Sequence, residues 1–372
     1  MIKVGITGQP GFMGTHLFNY LNTKDDIVTI PFEDAFFDRE ELLQNFVQQC
    51  DAIVHLAAMN RHEDQQVIYD TNLRLVNQLI DACDKTGVRP HILFSSSTQE
   101  ERDNLYGRSK TEGRKLLEQW AAKSGTRFTG LIIPNVFGPF GKPYYNSFIA
   151  TFCYQLTHGE SPQILTDSSV KLIYINELVD EFYRAIVSER KQPVESYVVD
   201  HTTEKKVSEI LDLLKDYAEN YLGRGVFPDL SRPFGKALFN TFRCYIPEDR
   251  YPMKLTKHTD NRGAFVEVVR AQTAGQYSYS TTKPGITRGN HYHTRKAERF
   301  IVISGKATIT LRKIGTDRVI EYHLDGDEPS FVDMPVWYTH NITNTGDGEL
   351  LTLFWINEPY DTADPDTFYE NV

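Results

Sequence analysis

From Lys3 to Pro134 the chain alternates short β-branched runs with longer stretches whose apolar positions recur at helical spacing. Lys3–Thr7 reads as a strand and leads into a helix from about Gly14 to Leu21. Ile27–Ile30 and Ala52–Leu56 follow as strands. Tyr69–Lys85 predicts a long helix, with Leu73, Val76, Leu79, Ile80 and Cys83 at roughly 3.6-residue spacing. His91–Ser95 predicts a strand, Ser109–Ser124 a helix and Thr129–Pro134 a further strand. Such alternation implies a parallel sheet covered by helices on both faces. From about residue 246 the texture changes to short alternating runs, Gln276–Thr282, Arg299–Ile303, Ala307–Leu311, Val319–His323 and Leu350–Trp355. Turn signals such as Pro284-Gly285, Ser304-Gly305 and Asp325-Gly326-Asp327 separate them, the signature of an all-β barrel or sandwich. The expected organisation is an α/β Rossmann-type domain over 1–245 and an all-β domain over 246–372, with the boundary near Arg243–Pro252.

Composition narrows the classes. With 372 residues, 40% apolar, 24% charged and a net charge of −10, the chain is a folded globular protein. Neither half is basic, which argues against a nucleic-acid partner. No apolar run approaches the ~20 residues of a membrane span, and the N-terminus lacks the pattern of a signal peptide. The four cysteines are scattered without framework spacing. A cytoplasmic protein with reduced thiols is expected.

Candidate chemistry appears first where the opening strand runs into Gly8-Gln9-Pro10-Gly11-Phe12-Met13-Gly14. Glycines there allow a tight turn and close approach of a pyrophosphate to a helix N-terminus. Tyr106 and Lys110 stand one helical turn apart, so both face one pocket. A neighbouring ammonium lowers a phenol's pKa, and such a tyrosine can protonate a carbonyl oxygen as hydride reaches the carbon. Ser95-Ser96-Ser97 ends the preceding strand, at the edge where α/β sheets place ligands. Together with His55-Leu56-Ala57-Ala58, Asn72 and Asn135-Val136-Phe137-Gly138-Pro139, these motifs resemble the extended short-chain dehydrogenase/reductase family. The resemblance implies Gly8, Gly11 and Gly14 at the cofactor, Tyr106 as proton donor, and Lys110 tuning it and holding the nicotinamide ribose. It implies Ser97 as the catalytic hydroxyl, with Thr98 the alternative, and Asn135 as a substrate contact. The short gap between Ser97 and Tyr106 departs from the family, as does Val170-Lys171-Leu172-Ile173-Tyr174 at the far substrate wall. The family likeness favours NADPH. Glu33 after the second strand favours NADH, and Arg61 is the nearby base for a 2′-phosphate.

In the second domain, His291 and His293 at i, i+2 are followed by Glu298 and Gly305, then by His340 in Pro335-Val336-Trp337-Tyr338-Thr339-His340-Asn341. Imidazoles and a carboxylate suit Zn²⁺ and other divalent first-row metals. The pattern resembles the cupin family, a jelly-roll barrel, with Trp337 where glycine is usual. That resemblance implies His291, His293, Glu298 and His340 as ligands to one metal per chain, Zn²⁺ by likeness and Fe²⁺ or Mn²⁺ by chemistry alone. Asp260-Asn261-Arg262-Gly263 and Lys283 resemble cupin epimerases of 4-keto nucleotide sugars. If both histidines bind metal, the base at C3 is His323, Tyr338 or a metal-bound hydroxide.

Fusion of the two domains resembles a group of capsular polysaccharide enzymes. It implies a homodimer that epimerises C3 of a UDP-4-keto-6-deoxy-HexNAc and then reduces C4 with NADPH. The product would be UDP-2-acetamido-2,6-dideoxy-β-L-talose, on the route to UDP-N-acetyl-L-fucosamine. The alternatives are a single-activity 4-keto-sugar reductase with a structural cupin, and a non-catalytic NAD(P)-sensing regulator.

Overall fold

The structure is a computed structural model that describes residues 1–188 and 193–372. Packing divides the chain into two units, one of residues 1–137, 144–147 and 168–206, the other of 138–143, 148–167 and 207–372. The 245/246 boundary read from sequence texture marks where helical sequence gives way to β-rich sequence. Packing groups 207–245 with the β-rich residues instead, for the reason given below.

In the first unit, strands β1 (Ile2–Thr7), β2 (Ile27–Ile30), β3 (Ala52–His55), β4 (His91–Ser97) and β5 (Phe128–Ile133) join Val194–Val198 in one parallel sheet. The order is β2-β1-β3-β4-β5-(194–198), so the chain reverses direction across the sheet at β1/β3, where Thr7 pairs with His55. All four residues of β3 are buried, as continuous apolar strands between two helical layers must be. Helices α1 (Phe12–Leu21), α2 (Glu40–Gln49), α3 (Gln65–Thr86) and α4 (Leu105–Ser124) follow β1 to β4 in turn. Phe46, Val47, Leu79, Cys83, Leu117 and Trp120 from α2–α4 pack with Ile53, Ile92 and Phe94 of the sheet. The Asp64 side chain caps α3, and Gly87 ends it at φ +74°. Asn104 caps α4 by accepting from the Gly107 N–H at 2.7 Å, so α4 starts four residues before the expected Ser109 and takes in Tyr106.

The second unit contains two five-stranded sheets whose strand pairings are all antiparallel. One runs Met253–Lys254, Ser330–Met334, Glu298–Ser304, Leu350–Ile356, Gln276–Thr282. The other runs Val319–Asp325, Lys306–Lys313, Tyr338–Asn344, Thr287–Tyr292, Phe368–Tyr369. Phe300, Val302, Ile309, Leu311, Leu324, Val332, Ile342 and Leu350 form one buried apolar cluster drawn from both sheets. This is the jelly-roll architecture that the cupin resemblance implies. The helical residues 207–245 are tied to it by buried polar contacts. Arg299 and Asp333, each 1% exposed, form a two-pronged ion pair at 2.6 and 2.8 Å, and the Tyr221 hydroxyl donates to the same carboxylate at 2.6 Å. Arg243 donates to the Met334 carbonyl at 3.0 Å, and Asn240 to the Arg295 carbonyl at 2.8 Å.

Candidate active site and metal centre

At the carboxyl end of β1 the glycine turn is closed by Gly11 N–H donating to the Gly8 carbonyl at 3.0 Å. Gly8 holds φ +70°, and a Cβ there would stand 2.8 Å from the Ala57 backbone. A Cβ on Gly14 would meet the Gly8 carbonyl at 2.3 Å. Gly11 precedes α1, whose first turn holds no acidic residue and no side-chain cap. Exposed helix-terminal N–H groups beside a turn without side chains fit a dinucleotide pyrophosphate. The turn is braced from β3. Thr7 Oγ1 lies 2.7 Å from His55 Nδ1 and accepts from the Ala57 N–H at 3.3 Å. Burial, with Lys110 nearby, pushes the His55 imidazole down to about 3, so it is neutral. Asn72 locks the following loop, accepting from Met59 N–H at 2.7 Å and donating to the Met59 carbonyl and to Ser109 Oγ.

Tyr106 and Lys110 share one side of α4, with Lys110 Nζ 5.8 Å from the Tyr106 ring centroid. Lys110 is 4% exposed and donates to the Ser95 carbonyl at 3.0 Å, which pins α4 to the carboxyl end of β4. Burial lowers its ammonium to about 8, while Glu100 works in the opposite sense. The expected lowering of the Tyr106 phenol is not what this arrangement produces. Burial and the neighbouring Tyr145 push it up to about 12. The ammonium that was to favour the phenolate is engaged with a main-chain carbonyl.

Ser97 ends β4, and its Oγ accepts from the Gln99 N–H at 3.2 Å, capping a short turn over Thr98–Glu101. That turn fills the trimmed gap before Tyr106. Arg114 grips Glu100 with two hydrogen bonds of 2.9 and 2.7 Å, and Ser96 donates to the same carboxylate. Burial pushes the Glu100 carboxyl up, but these bonds outweigh it and hold it below its ordinary value. The Glu100–Arg114 clamp escaped the sequence reading, because an acid and a base 14 positions apart carry no periodic signal. Asn135 lies on the exposed start of a short strand, donating to the Lys171 carbonyl at 3.2 Å. Arg61 donates to the carbonyls of Tyr144 and Tyr145 at 3.0 and 3.4 Å.

In the second unit, His291, His293, Glu298 and His340 come together, their ligating atoms all within 4.8 Å of one another. His291 and His340 are cross-strand partners, next to an irregularity at Gly289–His291 where Asn290 takes φ +61°. Glu298 Oε2 lies 3.2 Å from Nε2 of both His293 and His340 and 4.0 Å from Nε2 of His291. Burial pushes the Glu298 carboxyl up, but its histidine hydrogen bonds overcome this and hold it well below the carboxylate range. Burial and the other imidazoles lower His291 to about 4. The far ring nitrogens of His293 and His340 are engaged. His293 Nδ1 donates to the Asp366 carbonyl at 2.5 Å and His340 Nδ1 to the Tyr338 carbonyl at 3.1 Å. Nε2 atoms turned inward, with Nδ1 held by carbonyls, are the outer shell that metal-binding histidines use. The donor set thus fits a divalent ion.

Of the other residues singled out in this domain, Tyr338 shares the strand and the face of His340, two positions away. His323 lies on the exposed side of its strand, beside Thr308, and is removed as a base at this site. Arg262 is at the tip of an exposed hairpin and paired with Asp260.

Taken together, the parallel sheet, glycine turn and Tyr/Lys pair define a nicotinamide-dinucleotide-binding fold joined to a jelly-roll domain with a cluster of metal-ligand type. The NAD dependent epimerase/dehydratase family pattern matches residues 4–200, and the polysaccharide biosynthesis C-terminal domain matches 258–368. The chain belongs to the NAD dependent epimerase/dehydratase family. It is 32% identical over 370 residues to the UDP-2-acetamido-2,6-beta-L-arabino-hexul-4-ose reductase of Pseudomonas aeruginosa, covering 99% of this chain and 98% of the relative. The crystal structure of the capsular polysaccharide assembling protein CapF from Staphylococcus aureus matches over 100% of both chains, at 35% identity and a TM-score of 0.63. The spore coat polysaccharide biosynthesis protein SpsL of Bacillus subtilis is 28% identical over 123 residues, 30% of this chain and 82% of that protein.

Proposed function

We propose that the chain is a two-site nucleotide-sugar enzyme. The jelly-roll domain inverts C3 of a UDP-4-keto-6-deoxy-HexNAc, and the N-terminal domain then reduces the C4 ketone with NADPH. The product is UDP-2-acetamido-2,6-dideoxy-β-L-talose, on the route to UDP-N-acetyl-L-fucosamine for surface polysaccharide. What carries this reading is that one chain, alike over its full length to a reductase named for a UDP-linked 4-keto sugar, holds both the Tyr106/Lys110 pair and the His291/His293/Glu298/His340 cluster.

A ketone at C4 acidifies the C3 hydrogen, so C3 inversion requires removal of that proton and its return on the opposite face. Tyr338 is the side-chain candidate that faces inward with His340; its phenol, pushed up by burial, is protonated and so fits the return of a proton to C3 rather than its removal. A divalent ion at the cluster, zinc by family likeness, would supply Lewis-acid polarisation of an oxygen, or hold the barrel mouth in shape. In the N-terminal domain NADPH would supply hydride to C4. The Tyr106 phenol gives its proton to the C4 oxygen, Ser97 orients that oxygen, and Lys110 holds the nicotinamide ribose. Asn135 contacts the sugar nucleotide.

A homodimer follows from the same likeness and has support in exposed β structure. The hairpin Lys257–Asp260/Gly263–Val266 is exposed almost throughout, and a lone two-stranded hairpin is only marginally stable. Strand Gln276–Thr282 lies at its sheet's edge with Tyr277 and Tyr279 exposed. Among the described residues no helix is long and apolar enough to cross a membrane, and the four cysteines are free; we place the enzyme in the cytoplasm.

The test is incubation of the purified protein with NADPH and the UDP-4-keto-6-deoxy-HexNAc. NADPH oxidation with an inverted C3 supports the reading. Oxidation without inversion supports a reductase with a structural jelly-roll domain, and no oxidation supports a sensor.

A further inference from the structure

Between the ligands His293 and Glu298 the chain passes through Thr294, Arg295, Lys296 and Ala297, which belong to no strand; Asn357 Oδ1 accepts from the Ala297 N–H at 2.8 Å, and the other three amides share one partner. Main-chain N–H groups there need acceptors, and for those three a single side chain far along the sequence supplies them. The Asp366 carboxylate accepts from the N–H groups of Thr294 at 3.0 Å, Arg295 at 3.0 Å and Lys296 at 3.1 Å, and from Thr294 Oγ1 at 2.7 Å. Its own carbonyl accepts from His293 Nδ1 at 2.5 Å. One residue therefore fixes both the loop between two candidate ligands and the ring of one of them. Asp366 is 3% exposed and sits at φ +40°, a left-handed conformation uncommon for a side-chain-bearing residue. Such strain persists where surrounding contacts over-determine it. The rest of the tail is tied down by different groups, with Arg295 paired to Asp364 at 2.8 Å and to Glu358 at 3.1 Å.

We infer that Asp366 is a positioning residue for the metal centre, a latch by which the C-terminal tail sets the His293 ring and its Nε2 for coordination. This rests on the metal reading above. The carboxylate touches no ligand side chain. It acts through the loop amides, and the main-chain carbonyl acts through His293 Nδ1.

The test is cobalt(II) binding to the full-length protein by chelator competition, together with the visible absorption band of the bound ion, for the unaltered chain and for Asp366→Ala, Asp366→Asn and Asp364→Asn. Loss of an outer-shell partner typically weakens metal binding ~10–100-fold. Asp366→Ala is expected to fall in that range with an altered cobalt band. Asp366→Asn, which tolerates the left-handed backbone but keeps only one acceptor oxygen, should show a smaller loss, and it carries the test if the alanine variant does not fold. Asp364→Asn loosens the Arg295 side chain but touches neither the loop amides nor the His293 ring, and should leave affinity and band unchanged. Equal affinities and bands for the unaltered chain and both Asp366 variants would overturn the latch alone, as would an Asp364→Asn loss matching theirs. An unaltered chain that takes up no ion would overturn the metal reading and the latch together.

Discussion

Lys110 shows how far a short motif can be trusted at the residue scale. Its spacing from Tyr106 was legible because four positions make one helical turn, but its partner, the Ser95 carbonyl, lies on a different element and leaves no mark in the sequence. That partner changes the electrostatics. A cation lowered to about 8 is charged below that pH and neutral above it. The Tyr106 phenol, pushed up to about 12, stays protonated throughout. In the reductive direction, kcat/KM should therefore fall as pH rises through about 8, following loss of the ammonium rather than of the phenol. Lys110→Met should be poorly active with no such inflection, and a pH–rate profile checks both. Tyr106→Phe should lose ~10²–10⁴-fold in hydride transfer while cofactor affinity survives, since a general acid contributes about that much. Stopped-flow NADPH oxidation beside cofactor titration separates the two effects.

Element boundaries were less legible than element identity. The glycine turn was readable as a cofactor loop because Gly8 and Gly14 each have a steric reason to lack a side chain. Gly14 has no room for a Cβ beside the Gly8 carbonyl, and Gly8 adds a positive φ. Gly14→Ala should accordingly cost about 1–3 kcal/mol through overpacking, and it should weaken NADPH binding when measured by fluorescence titration. By contrast, the pattern sets the start of α4 four residues late, because Asn104 and Gly107 are poor helix formers in isolation. Asn104 is the cap, and Gly107 is small because a Cβ would meet the Gln99 carbonyl at 2.1 Å. The His-x-His pair was legible through its alternation, whereas Asp366 was not, since its role depends on loop amides 70 to 72 positions away and on an imidazole 73 away.

Across the whole molecule, composition and texture located two kinds of structure, while packing groups 207–245 with the β-rich residues. Those residues look like a continuation of the helical half. Their helices pack with the β-rich unit through a buried Arg299–Asp333–Tyr221 network that no local pattern announces. Arg299→Met should leave Asp333 buried and unpaired, lowering stability by about 3–5 kcal/mol in thermal or denaturant unfolding. Excision at 245/246 would cut that network, so the C3 chemistry is best examined in the full chain. The most direct measurement is NMR of the UDP-4-keto-6-deoxy-HexNAc incubated with full-length, metal-loaded protein in D₂O without NADPH. Deuterium should enter C3, the exchange should be lost in a His291→Ala/His293→Ala double variant, and it should persist in Tyr106→Phe. A C3 proton that stays unexchanged, in a preparation that still oxidises NADPH with the same sugar, would contradict a two-site enzyme.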